Sequence, residues 1–192
     1  MRSFVALSAL MLAGSALSGE IKGKVTPVKG SAGGIVVYVV KADGQFNPPK
    51  KPAAMDQKHM AFVPYVLPVL AGTTVLFQNH DTVAHNVFSP DGAGYNLGTF
   101  PPGQSRKQEF KDTGIYTQLC SLHPEMEGYI VVLQNPYFAT TKADGSFDIK
   151  GVPNGDYQLR AIGKAIKKKD RKRDFPVTVS GSTHADMDFS QQ

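Results

Sequence analysis

The chain has 192 residues, 41% of them hydrophobic, with one cysteine, no tryptophan and a formal net charge of +5. That length allows one domain or two small ones with material for a core, and a single cysteine excludes an internal disulfide framework. The charge is local: residues 164–173 (KAIKKKDRKR) hold seven basic side chains and one acid, and without that run and Arg2 the balance is slightly acidic. A nucleic-acid-binding surface spread over a domain is thereby excluded.

In chain order, residues 1–18 combine one arginine, an apolar stretch short of a bilayer span and small residues up to Ser18. They read as a secretory signal cut after Ser18, which implies a periplasmic or secreted protein. Beyond it, 19 Gly and 13 Pro punctuate Val-rich runs, the texture of an all-β protein with many turns. Residues 20–25 alternate as a first strand, and 35–40 (IVVYVV) read as a second, well-buried one. The Pro- and Lys-rich stretch 47–54 is expected to be an exposed connector. The stretches 61–64 and 66–70 follow, then a turn at 71–72 and a clear strand at 73–78, and residues 79–88 read as a loop leading into another strand. Residues 92–103 are Gly/Pro-rich and expected to be irregular. Strands at 106–110 and 115–119 then lead to Cys120, with a further strand at 129–133. After a boundary at 134–136, short strands with turns between them suggest a small β-sandwich.

The chemistry concentrates in Cys120-Ser121-Leu122-His123-Pro124-Glu125-Met126. A thiolate, an imidazole and a thioether are donors suited to copper and not to magnesium or calcium. Donors so close in sequence need a loop to converge, because strand residues alternate faces. One more imidazole would complete a set of two histidines, one cysteine and a weak methionine, and His85 is the candidate. An unpaired cysteine in an exported protein fits the role of metal ligand, its plain alternative being a buried inert thiol. Zinc could use one cysteine and two histidines, but a thioether adds nothing for it. Glu125 is an alternative to Met126 as fourth ligand. His59 and His80 read as surface residues, His80 near the rim, and His184 carries no signal.

Taken in order, 61–64 (AFVP), Phe77-Gln78-Asn79, His85-Asn86, Tyr116 and Cys120-x-x-His123 resemble the plastocyanin family of cupredoxins over about residues 55–134. The Cys-x-x-His-x-x-Met spacing resembles the amicyanin type. The resemblance implies a Greek-key β-sandwich with one type 1 copper, held by His85, Cys120 and His123 with Met126 axial. It also implies that Asn86 ties the two ligand loops together and offers its backbone N–H to the cysteine sulfur. The function implied is single-electron transfer by Cu(I)/Cu(II) cycling, with redox partners docking near His123. Copper delivery without redox cycling, or a structural or adhesion role, is the alternative. No nucleophile elbow and no phosphate-cradling glycine motif point to an enzyme.

Residues 140–161, with Asp144-Gly145, Gly151-Val152-Pro153 and the alternation Tyr157-x-Leu159-x-Ala161, resemble a transthyretin-like carboxypeptidase-regulatory domain. The opening stretch 19–40 resembles the start of that same domain. Two divisions are open: consecutive domains, a cupredoxin over 19–134 and a smaller sandwich over 135–192, or a cupredoxin inserted into a split sandwich. The consecutive division is the expectation adopted. The basic run from Lys164 to Arg173 is expected either to dock an acidic protein or anionic membrane surface, or to be a solvated hairpin tip.

Overall fold

The chain's computed structural model describes residues 18–190; the secretory signal expected over residues 1–18 lies outside them but for Ser18. Two strands come first, β1 (Ser18–Thr26) and β2 (Val36–Val39). Then follow β3 (Ala53–Gln57), β4 (Phe62–Val63), β5 (Val66–Leu70), β6 (Thr73–Asn79), β7 (His85–Ser89), β8 (Tyr95–Phe100), β9 (Ser105–Phe110), β10 (Gly114–Leu119) and β11 (Glu127–Leu133). The last are β12 (Phe138–Thr140), β13 (Ser146–Pro153), β14 (Gly155–Ile162), β15 (Phe175–Val179), β16 (Ser182–His184) and β17 (Met187–Asp188). The molecule is thus all-β, as its turn-punctuated apolar runs require.

Strands β3 to β11 form one sandwich from two sheets, ordered β4-β3-β6-β9 and β5-β11-β10-β7-β8. Met55, Phe77, Val87, Phe100, Ile130 and Val132 fill the space between them. The remaining strands form a second sandwich. One of its sheets is ordered β12-β2-β14-β15; in the other, β1 lies between β13 and β16 and also pairs β17. Ile21, Val37, Ile149, Leu159 and Met187 are in its core.

This pairing differs from the consecutive division at 19–134 and 135–192. β1 runs antiparallel to β13 from Ser18↔Pro153 to Lys24↔Ser146. β2 pairs β12 and β14, not a strand of the first sandwich. The donor-bearing sandwich is therefore inserted between β2 and β12. The reason lies in how many faces of residues 35–40 are covered. Val37 and Val39 point into the core of their own sandwich. Val36 and Tyr38 point the other way, against Val66, Tyr129, Val131 and Leu133 of the inserted sandwich. A strand buried on both faces is apolar throughout, whichever sandwich it belongs to. β11 is built the same way from the other side, with Ile130 and Val132 facing the donor-side core and Tyr129, Val131 and Leu133 facing the interface.

Other departures are local. The stretch expected to be irregular contains β8, held by pairing with β7 from His85↔Phe100 to Ser89↔Tyr95. The Pro-rich connector runs into β3, which pairs in parallel with β6 from Ala53↔Val75 to Gln57↔Asn79. The basic run connects the antiparallel pair β14–β15, but it is not a purely solvated hairpin tip. It forms a 3-10 turn over Lys168–Lys172 with Asp170 and Arg171 buried. The Arg171 guanidinium stands 4.2 Å from the Tyr129 ring centroid, a cation–π contact across the interface. Lys168 pairs with Glu127 at 3.5 Å, and the Tyr65 hydroxyl donates to the same carboxylate at 2.9 Å. Among the described residues no helix is long and apolar enough to cross a membrane.

Candidate metal centre

His85 opens β7, and Cys120 directly follows β10. The pair Leu119↔Glu127 closes the β10–β11 hairpin, leaving 120–126 as its connecting loop. Inside that loop the Met126 N–H donates to the His123 carbonyl at 3.0 Å. The turn so formed brings a residue three positions after Cys120 back towards the sulfur. At the loop's far end Gly128 is obligatory: a Cβ there would stand 2.7 Å from Cβ of Phe62.

The structure brings His85, Cys120 and His123 together, with one donor atom from each lying within 4.8 Å of the others. The two Nδ1 atoms are 3.0 Å apart, and Cys120 Sγ is 4.0 Å from His85 Nδ1 and 3.7 Å from His123 Nδ1. His85 and Cys120 are buried, while His123 is half-buried. Met126 is 1% exposed and shares an apolar cluster with Cys120. Glu125 is exposed, so the buried fourth donor available on this loop is the thioether, not the carboxylate.

Residues around the donors fix their orientation. Asp81 Oδ2 lies 3.1 Å from His85 Nε2. The Met60 N–H donates to the same oxygen at 2.8 Å, and the Thr82 N–H to Oδ1 at 2.9 Å. These backbone donors, and then His85, hold the Asp81 carboxyl down at about 2, so it is an ionised acceptor. An acceptor on Nε2 requires the hydrogen there and leaves the Nδ1 lone pair facing Cys120 and His123, the form a ligand needs.

Asn86 joins the two halves of the site. Its backbone N–H donates to Cys120 Sγ at 3.3 Å. Its Oδ1 accepts from the Ser121 N–H at 3.3 Å and hydroxyl at 3.1 Å, and its Nδ2 donates to Asn96 Oδ1 at 2.9 Å. Buried Gln57 donates from Nε2 to the Asn86 carbonyl at 3.2 Å. The N–H on the sulfur and the tie to Ser121 are the contacts the cupredoxin resemblance implies for Asn86; those with Asn96 and Gln57 are additional.

Asp81 and Gln57 were not singled out from sequence. Asp81 had a signal available, since it precedes His85 by four residues and a ligand histidine needs an acceptor on its second nitrogen. Gln57 had none, its role arising from the parallel pairing of β3 with β6. The other histidines stay outside the site: His80 pairs with Asp56 at 2.9 Å, His184 with Asp186 at 3.0 Å, and His59 is exposed in a turn.

The donor set tests well against copper. A thiol and two imidazole nitrogens converge without a carboxylate among them, and a thioether is buried beside the cysteine. Soft and borderline donors of this kind suit copper, and neither calcium nor magnesium.

Residues 50–133 match the family described as copper binding proteins, plastocyanin/azurin family. Among solved structures, a purple cupredoxin from Nitrosopumilus maritimus is 28% identical, covering 42% of this chain and 98% of that one, with a TM-score of 0.39. An oxidized amicyanin variant is 28% identical, covering 42% and 81%, with a TM-score of 0.40. A copper-containing nitrite reductase from Thermus scotoductus is 26% identical, covering 50% of this chain and 25% of that one, with a TM-score of 0.43. No curated protein matches the chain. Over residues 50–133 the inserted sandwich is thus similar to the copper-binding plastocyanin/azurin family, and its His–Cys–His cluster with a neighbouring methionine fits a single type 1 copper.

Proposed function

We propose that the protein is an exported electron carrier, with His85, Cys120 and His123 as the principal ligands of one copper ion and Met126 as the weak fourth. The convergence of Cys120 Sγ with both Nδ1 atoms carries this reading. Copper bound there would supply a one-electron Cu(I)/Cu(II) couple. The chain's own contribution is to hold the donors still. Asp81 fixes the His85 ring, the Asn86 N–H withdraws charge from the sulfur, and Asn86 Oδ1 pins the start of the ligand loop. Such supporting contacts tune a metal's affinity and potential.

Burial of His85, Cys120 and Met126 favours a carrier over an enzyme, because no side of the donor set but that of His123 is partly open. Leu122, next to His123, is 49% exposed, and Val83, two residues before His85, is 40% exposed. Small apolar surfaces of this kind suit brief redox encounters, so partners dock at the His123 end. Export rests on the signal pattern of residues 1–18.

Loading the protein with Cu(II) and recording its visible absorption tests the reading, with Cys120→Ser as control. The expected result is an intense thiolate-to-copper band, lost in the control, bleached by ascorbate and restored by ferricyanide. A colourless protein with no cysteine-dependent band would overturn it.

A further inference from the structure

β5 is an edge strand, paired with β11 alone. The Tyr65 carbonyl accepts from the Tyr129 N–H at 2.8 Å, and the Ala71 N–H donates to the Leu133 carbonyl at 2.9 Å. Residues of odd number thus turn their backbone groups towards β11, and Val66, Pro68 and Leu70 turn theirs outward. Pro68 has no N–H to offer there, which protects the edge against addition of another strand. An extended peptide is therefore a poor occupant of the space beside β5.

Across that space lie residues 28–34 and 164–167 of the other sandwich. Together they enclose a cleft of about 810 Å³, within the roughly 300–1,000 Å³ usual for small-molecule sites, which favour domain interfaces. Val28, Tyr65, Leu67, Pro68 and Ala165 give it apolar walls, and Lys29, Lys164 and Lys167 border it. No acidic side chain lines it. Among the described residues none of these three lysines has an ion pair or a side-chain hydrogen bond, whereas their neighbour Lys168 is held by Glu127. Three uncompensated ammonium groups around a concave apolar wall focus a positive potential into it. The complementary ligand is an anion with an apolar body.

We propose that this cleft binds a single amphiphilic carboxylate, its acyl chain against Tyr65, Leu67, Pro68 and Ala165 and its headgroup among Lys29, Lys164 and Lys167. The site is concave and built from both sandwiches, so it takes in one molecule; a flat bilayer surface would meet the lysines but not the walls. The proposal is independent of the copper reading, since no donor residue lines the cleft.

The test titrates the whole chain, after signal removal, with dansyl-labelled undecanoate and follows probe fluorescence. Expected are saturable one-to-one binding, displacement by laurate, and displacement by dodecanol that is at least tenfold weaker. The variant Lys29→Gln/Lys164→Gln/Lys167→Gln alters exposed side chains only; with an unchanged far-UV spectrum it is expected to bind the probe at least tenfold more weakly. Ala165→Trp, which fills the cleft, is expected to weaken binding to a similar degree with all three lysines in place. Absence of saturable binding, equal competition by laurate and dodecanol, or unchanged binding in both variants would overturn the proposal. So would flotation of the protein with phosphatidylglycerol vesicles without uptake of monomeric laurate, which would make the lysines a membrane contact.

Discussion

Val131 stands on the strand that ends the ligand loop, yet its side chain faces the other sandwich and is 1% exposed. Val131→Ala deletes two buried carbons at that interface. The lost transfer energy is about 1.6 kcal/mol at ~0.8 kcal/mol per carbon. A wall of β-sheet on each side relaxes little, so a cavity term adds to this, for a total of about 2–3 kcal/mol. For a chain of this size each kcal/mol moves Tm by about 2–4 °C, so Tm is expected to fall by about 5–10 °C. Thermal unfolding of the copper-loaded protein should be followed at the visible band, which reports the donor loop, and by far-UV circular dichroism, which reports both sandwiches. If the interface of Val36, Tyr38 and Ile162 with Val66, Tyr129, Val131 and Leu133 joins the sandwiches into one cooperative unit, both midpoints fall together. Leu159→Ala, in the core of the sandwich that holds no donors, should then also lower the midpoint of the visible band. A visible midpoint unmoved by either substitution, while the dichroism midpoint drops, would refute the reasoning and make the sandwiches independent.

Asn86→Ala removes three side-chain hydrogen bonds while leaving the backbone N–H on Cys120 Sγ. At about 1 kcal/mol each it is expected to cost about 2–3 kcal/mol in urea unfolding of the metal-free protein, and an effect below about 0.5 kcal/mol would remove Asn86 from its joining role. Asp81→Ala frees the His85 ring and is expected to lower copper affinity by about 10–100-fold, measured by competition with a chelator of known affinity; unchanged affinity would show that the ring is fixed by packing alone. Met126→Leu is expected to shift the visible band and the reduction potential, and Glu125→Gln to leave both unchanged because Glu125 is exposed. The reverse pattern would assign the fourth ligand to the carboxylate.

The donor types were legible in the sequence because coordination chemistry is a property of side chains and, in a short loop, of spacing. Cys120, His123 and Met126 lie within one seven-residue connection, so no long-range information is needed to bring them near one another. The all-β class was equally legible, since period-two patterns and Gly/Pro turns are local. Partnership was not. The uniformly apolar residues 35–40 announce a strand covered on both faces, but the pattern counts covered faces without naming what covers them. Only the pairing of β1 with β13 and of β2 with β14 assigned them to the split sandwich and made the copper-binding unit an insertion. The same limit hid Gln57, which reaches the Asn86 carbonyl through a parallel pairing, and the placement of Arg171 on Tyr129. A run of seven basic residues reads as solvated charge until the fold shows that one guanidinium is buried on an aromatic ring and that two of the lysines border an apolar cleft. Residue chemistry and local spacing thus determined what the protein can bind, and contacts between residues far apart in the chain decided which strands hold those donors in place.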